Sequence, residues 1–490
     1  MKISYFKKNI VLVLLLLVQS SLAADFKVPQ KFIDSSLHHS ITADTRFSDL
    51  SVATADFIRI KNEEWSACHQ SSPGPVYYSS ENQDLLYNFL ESTTVVDSLE
   101  KMEALAVTQS TVPVQPWSGD YWPYAKGLLG ARSFDTTFTS LLGWLEKFDF
   151  IKSESADRII EKHGQHGILK LSPAEKYDLL VGDSTNGLTN SMWDQGKRFH
   201  DERGEVEGWM GICHGWAPAA IVEPRPTSTV DATSLSRQWQ IQLVPAEIKG
   251  LVSYNWATND YANASLGHRC NKKNPKRDEN GRLTDPECFD LSPATWHLAT
   301  VNQVGLAHRS FVMDASFDYE VWNQPVLGYS YSYFNVKTKK AEKNLANAKV
   351  FVADHTLDPY KKYRSSQART LVGISMKVGY VIETSTNQQA TDSPQDDAIR
   401  WVQYDYDLEI DKFGKIIGGE WHQVAHPDFI WTPLKNARPL SLLDLPLNRK
   451  EWITEGPIGA AGANAARSGS PRGIVLDTIA TALLRKSAKD

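Results

Sequence analysis

The stretch His297-Leu-Ala-Thr-Val-Asn-Gln-Val-Gly-Leu306, Ala307-His-Arg-Ser-Phe-Val-Met-Asp314, Ala315-Ser-Phe-Asp-Tyr-Glu-Val-Trp-Asn-Gln-Pro-Val326 carries the reading of the fold. Two β-rich runs flank Gly305-Leu306, and a Gly-X pair supplies the loop chemistry of a two-residue type II′ hairpin. With that loop, His297 falls directly opposite Asp314. Directly opposed residues hold their Cβ atoms about 4.5–5.5 Å apart, within reach for an imidazole and a carboxylate. The stretch therefore predicts an oriented base on one strand and its acid on the next, and it calls for a nucleophile elsewhere.

The cysteines supply one. Of Cys68, Cys213, Cys270 and Cys288, the last two flank the polar, turn-rich segment Asn271 to Glu287. The N-terminus reads as a secretory signal: Lys2, Lys7 and Lys8 precede the apolar run Ile10 to Val18, and Ser21-Leu22-Ala23 is a small-x-small cleavage site. That run is too short for a bilayer, which needs about 20 residues, and no later run is long enough. An exported chain meets oxidising conditions, so a Cys270–Cys288 disulfide is the expected state, worth about 3 kcal/mol for a loop of this size. Cys270 has only His268 within four residues and Cys288 has neither Cys nor His there, which argues against a zinc ligand set. Cys68 and Cys213 are left over.

Cys213 lies in Gly208-Trp-Met-Gly-Ile-Cys213-His-Gly-Trp-Ala-Pro218-Ala-Ala-Ile-Val222. Pro218 is tolerable only near the start of a helix, and Pro224 and Pro226 end it, so a short helix must begin close to Cys213. There the unsatisfied N–H groups and the helix dipole favour a thiolate. A small buried cysteine between Trp209 and Trp216 is the bland alternative. His214 would point about 100° away from Cys213 on that helix. His308 pairs near the turn, about 20 Å along a strand from Asp314. The expected site is therefore Cys213 as nucleophile, His297 as base and Asp314 as its orienting acid, with Asp318 as the alternative acid. The Cys213 N–H, with Trp209 or Gln195, would form the oxyanion site.

Length and composition frame this reading. With 490 residues, 41% of them hydrophobic, and 15 Trp, the chain has material for a large ordered core. A net charge of −6 and no basic stripe exclude a nucleic-acid footprint. The expected division is a signal peptide at 1–23, an N-terminal extension or propiece at 24–110, a catalytic core at 111–340, a strand-rich region at 341–455, and a linker with a terminal helix at 456–490. Within it, 84–105 reads as helical, and so does 133–260, where Ser172-Pro173-Ala174-Glu175 is a capped helix start. Trp401 to Ile410 alternates as a strand, turning at Asp411-Lys412-Phe413-Gly414. The fold class is α+β.

The hexapeptide Val321-Trp322-Asn323-Gln324-Pro325-Val326 is identical to the one that marks the oomycete transglutaminase elicitor family, which this chain resembles. The family's peptide continues Arg-Gly-Phe, where this chain has Leu327-Gly328-Tyr329. Softer likeness extends through Trp117 to Gly127, Cys213 to Trp216, Cys270 to His297 and Ile416 to Trp421, covering about residues 110 to 435. The resemblance implies a papain-like or transglutaminase-like core, with the catalytic cysteine at a helix N-terminus packed on an antiparallel sheet and extra C-terminal strands. It also implies protein-glutamine γ-glutamyl transfer to lysine or another amine, and calcium dependence. Asp278, Glu279, Asp285 and Glu287 are the hard-oxygen candidates for that ion, although they miss EF-hand spacing. No organic cofactor is implied.

The reading is thus a secreted protein of the extracellular space, periplasm or cell envelope, whose partners are proteins bearing glutamine and lysine. Two alternatives stay open: a papain-like cysteine protease or glutamine deamidase, which shares the acyl-enzyme, and a non-catalytic cell-envelope binding protein.

Overall fold

The Ser-Pro start read at residue 172 is built as expected. Ser172 Oγ accepts from Glu175 N, the Glu175 carboxylate accepts from Ser172 N at 2.9 Å, and Gly182 in the left-handed region closes the helix. This is helix α1 (Pro173–Val181). The other helices that position the site are α2 (Gly187–Arg203), α3 (Cys213–Val222), α4 (Pro245–Thr258), α5 (Pro293–Thr300) and α6 (Asp477–Ser487). A buried ion pair from Lys176 to Glu247, at 2.6 Å, ties α1 to α4. Removing one partner would strand a charge at a cost of about 3–5 kcal/mol.

The computed structural model describes residues 86–488, apart from 93, 273, 286, 287, 289, 290, 317, 318, 424, 448–451, 453 and 454. The expected signal peptide, most of the extension, Cys68, Glu287 and Asp318 lie outside the described residues. Cys270 and Cys288 form the expected disulfide. No described helix is long and apolar enough to cross a membrane.

The helices pack on a large antiparallel sheet, and the fold is a mixed helix and sheet one. Its strands are β1 (Gln109–Thr111), β2 (Asn263–Gly267), β3 (Val312–Asp314), β4 (Asn323–Phe334), β5 (Thr370–Ile382), β6 (Ala398–Ile410), β7 (Ile416–Gly418) and β8 (Phe429–Pro433). They pair in the order β7-β6-β5-β4-β3-β8-β2, and β1 also pairs with β4. The β6–β7 connection is the expected turn, with Asp411 Oδ1 accepting from Phe413 N and Lys415 N at 2.8 Å. Strands on either side of residue 340 thus belong to one sheet.

That sheet separates two cores. Val312, Val381, Phe429 and Trp431 pack with α1, α3, α4 and α6 on one face. Met313, Val326, Tyr329, Tyr331, Tyr333 and Ile430 pack with α5 on the other. Alternation along β4 is reset by a bulge between Val326 and Gly328. Asn323 and Pro325, paired with Asp314 and Val312, therefore face α3, whereas Tyr329, Tyr331 and Tyr333 face α5.

Three expectations are corrected. His297 is not on a strand and does not oppose Asp314: it lies in α5, which continues as a π-helical turn over Val301–Leu306, and Asp314 pairs with Asn323 instead. The reason is a second Ser-Pro start, in which Ser292 Oγ accepts from Thr295 N and Pro293 takes the first helical position. Gly305 is no turn residue; a Cβ there would collide with the Tyr329 hydroxyl. The expected linker in 456–490 contains a helix, Ala460–Gly469, with Ala463 and Ala466 buried. The helical segment expected at 84–105 is also interrupted, resuming at Leu99–Ala104 behind the Ser98 cap.

Gly305→Ala is expected to cost about 1–3 kcal/mol through overpacking, read from denaturant midpoints. Because the obstacle is one hydroxyl, the same change in a Tyr329→Phe background should cost measurably less, a coupling a double-mutant cycle resolves.

Candidate functional site

Helix α3 begins at Cys213, as the prolines require, and Gly215 lets it approach α4, where a Cβ would strike the Ser253 carbonyl. The Cys213 thiol points at the start of β4. Its S–H donates to the Val321 carbonyl (3.7 Å), and Asn323 Nδ2 donates to the sulfur (3.5 Å). Asn323 is fixed in turn by Trp431 Nε1, which donates to its Oδ1 at 2.7 Å. The site is thus floored by the hexapeptide and enclosed by aromatics: Tyr121 stacks on Trp322, and Tyr319 meets Trp209 edge-on. Enclosure has an electrostatic price. Burial first, and then the nearby Glu383 carboxyl, push the Cys213 thiol up to about 12 against the lowering effect of Asn323. In this arrangement the thiol keeps its proton, so burial outweighs the expected benefit of the helix N-terminus.

Asp314 comes to the same place. It is fully buried and directly opposite Asn323. Its Oδ1 accepts from Trp322 N (2.9 Å), Ser316 N (3.2 Å) and Ser316 Oγ (2.8 Å), which ties Ser316 and Trp322 to the end of β3. Burial nevertheless raises it to about 7.

His297 does not come to this place. It sits in the core on the opposite face of the sheet, where Nδ1 shares a 2.8 Å hydrogen bond with the Tyr406 hydroxyl and the ring packs against Tyr331. Burial alone lowers it to about 3. Two further expected donors are occupied elsewhere: Trp209 Nε1 donates to Glu207 (2.6 Å), and Gln195 Nε2 donates to the Tyr254 hydroxyl (2.9 Å).

A sequence profile described as transglutaminase elicitor matches residues 88–448. The chain belongs to the transglutaminase elicitor family. The fold agrees. The crystal structure of the GP42 transglutaminase from Phytophthora sojae superposes with a TM-score of 0.51 at 20% identity, covering 81% of this chain and 99% of that one. No curated protein sequence matches the chain.

The described residues of the acidic loop do not fit the calcium that the family resemblance implies. Asp285 is bound by the Lys272 ammonium at 2.6 Å. Asp278 accepts from Asn280 N, Arg282 N and the Tyr363 hydroxyl. Among the described residues, no group of three or more His, Cys, Asp or Glu could hold a metal ion. No step is derived through calcium.

Sequence reasoning missed Asn323 and Glu383 as neighbours of the thiol, and Trp431 as the residue that fixes Asn323. For Asn323 a signal existed, since it is the third residue of the hexapeptide.

His297→Gln is expected to leave iodoacetamide labelling of Cys213 within about twofold of wild type, whereas loss of a general base costs about 10²–10⁴-fold. The imidazole's role should appear in stability. Its folded value lies below its ordinary one, so the unfolded chain takes the proton first. Wild type should then lose stability relative to the variant as pH falls from about 6.5 toward 3, by at most about 1.4 kcal/mol per pH unit. Denaturant midpoints across that range measure it.

Proposed function

We propose that the chain is a secreted protein-glutamine γ-glutamyltransferase with a papain-like arrangement, in which Cys213 is the nucleophile. The observation that carries this reading is the Cys213 sulfur at the first residue of α3, held against Asn323 and the Val321 carbonyl of the family hexapeptide. Family membership supports the reaction class, and the Cys270–Cys288 disulfide supports export to an oxidising compartment.

In the proposed reaction the thiolate attacks the side-chain carboxamide of a protein glutamine. Ammonia leaves, and a lysine amine resolves the thioester to an isopeptide bond. The Asn323 amide, already donating to the sulfur, stabilises the ionised thiol. Asp314 serves by holding Ser316 and Trp322, and so the start of the hexapeptide that meets the sulfur. The imidazole of His297 is not assigned a part, because the sheet lies between it and the thiol.

The test is incorporation of a primary amine into a glutamine-bearing protein by wild type and Cys213→Ala. The variant should lose about 10³-fold or more of the rate; equal incorporation sinks the assignment. Mass spectrometry of the products separates the acceptors: isopeptide crosslinks for transfer, cut chains for proteolysis, and glutamate in place of glutamine for deamidation.

A further inference from the structure

A thiol that attacks a carboxamide must pass its proton to a base and return one to the leaving ammonia. With His297 on the far face, that base has to come from the groups around Cys213. The register of the sheet identifies one. Beside the bulge, Val326 pairs with Tyr380. Carried three residues past that pair, the same register points Glu383, just past the end of β5, toward Asn323, and the Glu383 carboxyl acts on the Cys213 thiol. Val381, two residues earlier, belongs to the core that contains Cys213, so alternation directs Glu383 to that same face. Asp314 flanks Asn323 from the other side. The three strands thus lay Asp314, Asn323 and Glu383 in one row, and the central member touches the sulfur.

Glu383 differs from Asp314 in one respect that decides between them. Asp314 Oδ1 is committed to the 315–322 loop by three hydrogen bonds. Both carboxyl oxygens of Glu383 are shielded from solvent and have no hydrogen-bond partner. Two unused acceptor oxygens buried beside a thiol are costly to keep unless they have a task. The segment over them is fixed: Thr384 N donates to Gly119 O and Tyr121 N to Thr384 O, both at 2.8 Å, as the chain leaves β5.

We propose that Glu383 is the proton acceptor and donor for Cys213, so that the acyl transfer runs on a thiol–carboxylate pair. The proposal rests on the reading of Cys213 as the nucleophile. The Glu383 carboxylate takes the thiol proton as the S–C bond forms on the glutamine carbonyl. The resulting carboxylic acid gives that proton to the amide nitrogen as the C–N bond breaks and ammonia departs. In the second half the carboxylate takes a proton from the incoming amine as the new C–N bond forms, and it returns the proton to sulfur as the S–C bond breaks. No proton or electron is left over.

The charged and titratable surroundings set the pH response. Asp120 and Tyr121 face Glu383 from the segment above it, and Cys213 faces both Glu383 and Asp314 from α3. Arg269 and Glu320 lie at the loop edge, where Arg269 faces Asp314 and Cys213 and Glu320 faces Tyr121. Behind Asp120 stands Lys249 of α4, ion-paired to Asp392. Burial and then the Asp120 carboxyl raise Glu383 to about 8. The accepting carboxylate therefore accumulates only as pH rises through that value.

The experiment follows the rate of Cys213 alkylation by iodoacetamide, and of amine incorporation, against pH in wild type, Glu383→Gln and Glu383→His. Wild type should show a limb rising near pH 8. Glu383→Gln, isosteric and free of the unpaired charge, should keep the melting temperature, lose the limb and slow both reactions about 10²–10⁴-fold. Glu383→His should restore the rate with its limb moved toward the ordinary imidazole value of about 6.5. A merely electrostatic carboxylate predicts the reverse for Glu383→Gln, because removing a negative neighbour eases thiol ionisation and speeds alkylation. Faster or unchanged alkylation in Glu383→Gln overturns the proposal while leaving the Cys213 nucleophile intact. Failure of Cys213 to be alkylated selectively in wild type overturns the nucleophile and the proposal together.

Discussion

The bulge in β4 between Val326 and Gly328 is the constraint on which the rest of the structure depends. A regular strand would turn Asn323 to the same face as Tyr329, Tyr331 and Tyr333, since all four numbers are odd. With one extra residue inserted, the start of the strand faces the helices and the remainder faces α5. A single strand thereby serves two cores. The bulge also marks a change of neighbour: β3 pairs with residues 323–325, and β1 pairs with 328–330. Gly328 belongs there because a Cβ at this position would press into the Ser110 carbonyl at 2.6 Å. Had that residue carried a side chain, β1 would be displaced from the strand.

Two clusters of buried polar groups are neutralised to different degrees. Around Arg364, burial is matched by opposite charge: Asp358 and Asp407 accept from its guanidinium, and Asp407 is held well below the usual carboxylate range even though it is fully buried. Around Cys213 the matching is incomplete. Asp120, Asp314 and Glu383 are raised to between about 7 and 8, and each retains an oxygen with no hydrogen-bond partner. A fully paired network stabilises a fold, whereas under-neutralised carboxyls near a thiol are poised to exchange protons close to neutral pH. That contrast supports the proposed proton exchange around Cys213 without appeal to family likeness.

Much of the scaffold was legible in the sequence because its signals are local. Ser172-Pro173-Ala174-Glu175 and the Asp411–Gly414 turn each act within a few residues, and each element forms where they indicate. The start of α3 was equally legible, because Pro218 limits how far upstream the helix can begin. The His297 hairpin failed for a physical reason. Ser292-Pro293-Ala294 repeats the helix start of α1, but α5 is buried nearly all round, its polar His297 and Thr300 included, so no exposed polar face marks the helical period. A buried helix and a buried strand leave similar traces in hydrophobicity. Gly305 then read as a turn, although its requirement is tertiary, the approach of the Tyr329 hydroxyl. Close-packing glycines and turn glycines look alike until their neighbours are known.

The row beneath the thiol was illegible for a related reason. Its members, residues 213, 314, 323 and 383, come from one helix and three strand positions, and no sequence spacing fixes their register. The register of β5 on β4 is set by the bulge, which moves every later pair by one residue. Glu383 adds a further circumstance: it lies where β5 parts from β4 and turns to pair with Gly119 to Tyr121. A sheet can admit an unpaired carboxyl at such a divergence, because no cross-strand partner is displaced to make room for it. The end of the β4–β5 ladder is therefore both the place where local sequence rules lapse and the place where the fold can position a polar group beside Cys213.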